Sequence, residues 1–288
     1  MKHNIILSCL GLSVALSSAT SPFLIGNSIN LYLSHDRSYI LIISTACLLI
    51  LVTPALRLSA NIYLQKISSN TTSNIKRKLL RVLFTTHFSA DRRSGELLDL
   101  VDGDVDGAIY LYHGIFLDIT INASLIALAL LMIAYYYPAM IIAPLAGIFY
   151  SIAIYLSTKN NSNRIYTEYV TENTITIGKI CDLLKQPNTS YSDQLREDEK
   201  KINKLALFSN LKISVLAALS GTSYLVGITT MLLIGFYAMN NNIMDAGMIF
   251  ASAMYVERVL TPTSALISIY FSSREAFCRR SRIHNNIM

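Results

Sequence analysis

Six apolar stretches of roughly bilayer-crossing length divide this sequence, at about residues 4–33, 39–63, 114–136, 138–156, 211–239 and 248–272. A crossing takes about 20 mostly apolar residues. In lipid every backbone N–H and C=O must find a partner inside the protein, which leaves helices and closed barrels. Stretches this long and this apolar read as helices. Hydrophobic residues make up 52% of the chain and charged residues 15%, against about 25% charged in soluble domains, so lipid has to serve as solvent for much of the surface. Lys2, the apolar run behind it and Ser18-Ala19 have the outline of a secretory signal. The run continues to Leu33, beyond the length of a signal's apolar core, and is read as the first span.

Lysine and arginine set the orientation. Twenty-one of the 24 lie at the N-terminus, in the segments 66–110 and 159–210 with their flanks, or in the C-terminal tail. The connections on the other side carry Arg37 alone, and Arg57 and Arg258 fall inside spans. Both termini and both long loops are therefore expected in the cytoplasm. The net charge of +6 follows from this topology and does not call for nucleic acid. The three outer connections are very short, whereas the two inner ones are too long to be structureless. Ile75, Leu79, Val82 and Leu83 recur at helical spacing, and Glu197 and Lys201 are four apart. Each long loop reads as two helical extensions of the flanking spans, which at about 1.5 Å per residue would reach about 30 Å into the cytoplasm.

Metal and catalytic chemistry find little support. The four cysteines and five histidines have no ligand spacing. Asp99, Asp102, Asp104 and Asp106 lack the register and bidentate glutamate of a calcium loop. The spans hold no paired aspartates, Ser/His pair or H-E-x-x-H, which argues against an intramembrane enzyme. One site does stand out. Glu257 and Arg258 fall near the middle of the sixth span, where an ionisable side chain is costly and usually faces a cavity or a partner. Neighbouring residues occupy different helix faces, so one of the two should face the bundle interior, and both are candidates for a translocation pathway. Asp118 and Arg57 lie nearer the span ends, and Tyr135, Tyr136 and Tyr137 have the character of an interfacial anchor.

The run His87 to Ile109, the most charged stretch, carries a resemblance. Phe88, Ser94-Gly95-Glu96-Leu97, Asp104-Val105 and Ile109 resemble the F-F-x(5)-G-E-hydrophobic … D-V/T-x-x-I pattern in the first intracellular loop of ABC exporter membrane domains. Pro22-Phe23-Leu24-Ile25-Gly26 with Ile29 is similar to that family's P-x-L-x-G-x-x-I. Glu172, Ile177 and Ile180 resemble its second-loop motif. Asp245-Ala246-Gly247, Pro262, Ala276 and Arg282-Ile283 are similar to the sixth helix and its exit. The resemblance covers nearly the whole chain. It implies six long transmembrane helices with cytoplasmic helical extensions, pairing with a second transmembrane half as a homo- or heterodimer. Short coupling helices at the loop tips would dock on ATP-binding domains: His87, Phe88, Asp91, Arg92, Arg93, Gly95 and Glu96 at one tip, Tyr166, Glu168, Tyr169 and Glu172 at the other. Pro262 would join Glu257 and Arg258 along the pathway.

The pattern departs from the family at Asp99-Leu100, where an arginine is common, and at Thr176, where a glycine is usual. No G-x-x-x-x-G-K-[ST] loop occurs before Met288. The expected ATP and Mg would sit on a separate or missing nucleotide-binding domain, with no cofactor and no metal in this chain. Leu219-Ser220-Gly221-Thr222-Ser223 lies in an apolar span and reads as small-residue helix packing. The expected function is the permease subunit of an ATP-driven transporter in a bacterial inner membrane, exporting a peptide, lipid or amphipathic molecule. The alternative is a motor-less regulatory or immunity-type membrane protein, or a degenerate half-transporter.

Overall fold

The computed structural model describes residues 2–85, 113–154 and 191–287, together with Val105, Ile109, Leu156, Glu168, Glu172, Ile175 and Thr176. Among these the chain is helical and contains no strand. Its long elements are α1 (Lys2–Leu33), α2 (Tyr39–Thr85), α3 (Ile115–Tyr136), α4 (Pro138–Ile154, opening with a 3-10 turn over Pro138–Ile141), α5 (Tyr191–Asn240) and α6 (Ala246–Ile287). Helices α1, α2, α3 and the Gly221–Asn240 part of α5 are long and apolar enough to cross a membrane. The described part of α4 is shorter. Helix α6 falls outside that set, because Glu257 and Arg258 interrupt its apolar run.

The chain divides into two compact units. The first comprises Met1–Ser69, Tyr110–Ile152 and Ser220–Arg274. It is built on stripes that follow helical periodicity. Leu117, Ile121, Leu125, Ala129 and Ile133 put every fourth residue of α3 on one buried line. One end of that line packs with Leu7, Val14 and Ala15 of α1 and Ala60 of α2. The other end joins Met140 and Ala143 of α4, Met231 of α5, and Tyr255, Val256, Val259 and Leu260 of α6.

Helix α1 buries small and hydroxylated residues, including Ser18, Ser21 and Ser28. Their polarity is tolerated because hydroxyls can turn back on the helix: Ser28 donates to the Ile25 carbonyl at 2.7 Å. Pro22 has no N–H for the Ser18 carbonyl, and the Ser21 hydroxyl donates to that same oxygen at 3.1 Å. The missing helical bond is thus repaired locally, as lipid requires. Helix α2 is the opposite case. Leu41, Leu48, Leu51 and Leu58 are all exposed, and hardly any of its apolar window is buried against the rest of the chain.

Glycines set the close approaches. A Cβ on Gly147 or Gly227 would fall 2.7–2.9 Å from Leu260 side-chain carbons, so this leucine is gripped between α4 and α5. Gly221, by contrast, meets nothing. Small-residue packing in this part of α5 falls within the chain to Ser223, which is buried, and to Gly227.

The second unit comprises Asn70–Ile109, Ala153–Leu219 and Glu275–Met288. Among its described residues Leu79, Val105, Ile109 and Thr176 are buried. Val105 and Ile109 are the two apolar positions of the D-V-x-x-I pattern, which explains their spacing of four: both have to face inward from one helical turn to the next.

Candidate functional site

Helices α1 and α6 meet where two backbones nearly touch. Gly26 and Asn30 lie one turn apart on α1, and Gly247 and Ala251 one turn apart on α6. A Cβ on Gly26 would come within 2.6 Å of the Gly247 carbonyl oxygen and 2.7 Å of the Ala251 Cβ. The Gly247 N–H, in the first turn of α6 and so without a partner in its own helix, donates to Asn30 Oδ1 at 2.9 Å. Two turns further on, the Tyr255 hydroxyl donates to the Ala19 carbonyl at 2.7 Å, close to the Pro22 interruption of α1. The Tyr255 ring is fully buried. Its centroid lies 6.4 Å from that of Tyr136, which in turn stacks on Phe23 at 6.4 Å. Tyr136 is half-buried and packs against the core between α1, α3 and α6. Of the triplet, Tyr135 is the strongly exposed residue.

With Tyr255, Val256, Val259 and Leu260 fixing one side of α6 in the core, helical geometry assigns the remainder. Glu257 is two residues past Tyr255, about 200° round the helix, and is exposed. Arg258 is half-buried and Pro262 is buried. The three candidate pathway residues thus occupy three different environments on one helix. Glu257 lies within electrostatic reach of Tyr224 on α5. Among the described residues no hydrogen bond or ion pair reaches its carboxylate. Tyr255, Asn30 and Tyr224 were not marked by the sequence. Asn30, one turn after Gly26, is the one whose spacing could have been noticed.

Of the candidate coupling residues, His87, Phe88, Asp91, Arg92, Arg93, Gly95, Glu96, Tyr166 and Tyr169 lie outside the described residues. Glu168 is helical and exposed, and Glu172 is helical and half-buried. Glu172 pairs with Lys201 of α5 at 2.5 Å. Lys201 thus reaches across to another segment, while Glu197, its neighbour one turn back, is exposed. The pair pins the segment around Glu172 to α5 within the second unit. Its partial exposure limits its worth to about 1 kcal/mol or less. Among the described residues no group of histidine, cysteine, aspartate or glutamate side chains could hold a metal ion.

Outside the spans, two groups among the described residues are electrostatically tuned. Asp36 sits in the α1–α2 turn and accepts the Ser38 N–H at 2.9 Å, which holds its carboxyl below the ordinary value. His113, just before α3, has its Nδ1 3.0 Å from Asn4 Oδ1. Partial burial, and then the nearby charge of His3, hold its pKa below the usual 6.5. His3 in turn lies 3.0 Å from the Tyr63 hydroxyl, so the entry of α1 is linked by side chains to both α2 and the start of α3.

No protein-family model matches the sequence, and no curated protein matches it. Among solved structures, the chain superimposes on a bacterial Atm1-family ABC exporter with ATP bound, at a TM-score of 0.79 and 10% sequence identity. The match covers 99% of this chain and 53% of that one, so the chain spans about half the length of the exporter it resembles. This is a multi-helix membrane chain with the fold of an ABC exporter's membrane domain.

Proposed function

We propose that the chain is the membrane-spanning permease subunit of an ATP-driven ABC transporter in a bacterial inner membrane. It exports a peptide, a lipid or an amphipathic small molecule. ATP is hydrolysed on a nucleotide-binding domain outside these 288 residues, and a second transmembrane half completes the pathway. Both termini and both long loops face the cytoplasm. The observation that carries this reading is the backbone match to an exporter along 99% of the chain. The lysine and arginine distribution gives it a direction, since 66–110 and 159–210 face the compartment that holds ATP. In this reading Arg92 and Arg93 at one tip, with Tyr166, Glu168 and Tyr169 at the other, carry force to and from the ATPase. Glu172, braced by Lys201, stiffens the second arm.

The test is affinity purification of the full chain from its own membranes, followed by identification and assay of any ATP-hydrolysing partner. The permease reading expects a nucleotide-binding subunit or domain to come with it, and the paired substitution Arg92→Glu, Arg93→Glu to release it while the membrane helices stay folded. A chain that purifies with no such partner, and whose helices do not respond to ATP, is the motor-less protein instead.

A further inference from the structure

Helices α1 and α2 contain no aspartate or glutamate. Asp36, in the turn between them, is the one acidic residue from Lys2 to Thr85. Arg57 of α2 therefore has no countercharge on its own helix or on α1. It is exposed, and among the described residues no hydrogen bond or ion pair reaches its guanidinium. Its depth follows from the helix. Arg57 is the first charged residue after Tyr39, 18 positions on, about 27 Å along the axis at 1.5 Å per residue. A bilayer's hydrocarbon layer is about 30 Å thick, so a long guanidinium side chain here reaches the boundary where phosphates lie. The face around Arg57 changes character at that depth. Positions 43, 50 and 57 recur every two turns along one flank, and 57, 61 and 65 every turn. Ile43 and Ile50, on the hydrocarbon side of Arg57, are exposed. Asn61 and Gln65, on its other side, are also exposed, and neither amide has a hydrogen-bonding partner among the described residues. They lie about 6 and 12 Å beyond Arg57, through and past a headgroup layer of about 5–8 Å. The flank thus runs apolar, cationic, then amide, which is the order of acyl chain, phosphate and polar head in a phospholipid.

We propose that this flank of α2 binds one anionic phospholipid, whose phosphate pairs with Arg57, whose headgroup extends past Asn61 toward Gln65, and whose acyl chain lies along Ile50 and Ile43. Guanidinium and phosphate form a bidentate, charge-assisted pair, and neither α1 nor α2 holds a carboxylate to compete for it. A zwitterionic head would bring its own cation toward Arg57, so a net negative head is preferred. A carboxylate from a second copy fits less well in depth. Helix α6 starts at the same end as α2, because Gly247 meets Asn30 and the Tyr39 ring meets Tyr32 at 5.3 Å. Glu257 is ten positions past Gly247, about 15 Å in, which leaves it about 10 Å short of the level of Arg57. The site asks only that α2 cross a membrane, so it does not rest on the permease reading.

The test titrates the full chain in detergent with phosphatidylglycerol or with phosphatidylcholine of the same acyl chains, and counts bound lipid by native mass spectrometry. The proposal expects saturable phosphatidylglycerol binding, tighter than that of phosphatidylcholine, which weakens about fivefold or more in Arg57→Gln. It expects Arg57→Lys to retain part of that binding. Arg37→Gln removes the same charge from an exposed turn residue at the other end of α2 and is expected to bind as wild type does. Thermal unfolding of each variant establishes that it is folded. Phosphatidylglycerol binding equal in wild type and Arg57→Gln overturns the proposal, and so does an equal loss in Arg37→Gln, which would mean that net charge alone matters. Displacement of the lipid by soluble glycerol phosphate overturns it too, because the apolar part of the flank is then no part of the site. A loss of dimer in Arg57→Gln with phosphatidylglycerol binding unchanged assigns the countercharge to a second copy and overturns it as well.

Discussion

At the scale of single residues, the contact between α1 and α6 depends on what is absent from side chains as much as on what is present. Any β-carbon at Gly247 would drive into the Gly26 carbonyl and the Asn30 side chain. Neither backbone can retreat without breaking the Gly247–Asn30 hydrogen bond. Gly247→Val is therefore expected to destabilise the fold by about 2 kcal/mol or more, seen as a lower thermal unfolding midpoint in detergent. Tyr255→Phe removes one hydroxyl and little volume. It removes the hydroxyl's bond to the Ala19 carbonyl and is expected to cost about 1 kcal/mol, with a correspondingly smaller fall in the same midpoint. Glu257 was legible in the sequence because a charge in an apolar run announces itself. Tyr255 and Asn30 were not, because their partners lie 236 and 217 residues away and nothing local marks a tyrosine or asparagine as paired. The packing of Phe23 and Tyr255 around the Tyr136 ring was hidden for the same reason, since a tyrosine next to a helix end has only the composition of an anchor.

At the scale of helices, apolar length was a good guide to where α1 and α3 lie and a poor guide to how far α2 and α5 extend. Helix α2 continues to Thr85 and α5 begins at Tyr191. These parts are polar and basic, so hydropathy is blind to them, and the helical spacing of Ile75, Leu79 and Val82 is the signal that found them. On α6 the apolar run 248–272 was legible despite Glu257 and Arg258, and among the described residues it supplies Tyr255, Val256, Val259 and Leu260 to the buried core. Among the described elements, the end of the bundle where α1 begins is expected to respond to pH. Burial and the neighbouring His3 favour neutral His113. The stability that this histidine contributes is therefore present above its ordinary value of 6.5 and is lost as the pH falls through its lower folded value. His113→Gln keeps a hydrogen-bonding side chain for Asn4 but cannot titrate. Wild type is expected to lose more unfolding temperature than the variant between about pH 8 and pH 5. Equal losses would remove His113 as the cause.

At the scale of the molecule, the motif residues within 22–29, 88–109, 172–180 and 245–283, set in order among the spans, carried the resemblance to the exporter fold, and the fold match bears that resemblance out. The coupling tips rest on motif spacing alone, since most of their residues lie outside the described ones. The motif's apolar positions Val105 and Ile109 are buried. The central claim is that this chain is mechanically joined to an ATPase. The most direct measurement is vanadate-sensitive ATP hydrolysis by the complex purified from native membranes through the full-length chain, wild type against Arg92→Glu, Arg93→Glu. The account predicts hydrolysis in the wild-type preparation and its loss, together with the ATPase polypeptide, in the charge-reversed one. Absence of ATPase from the wild-type preparation, or undiminished hydrolysis after charge reversal, would contradict it.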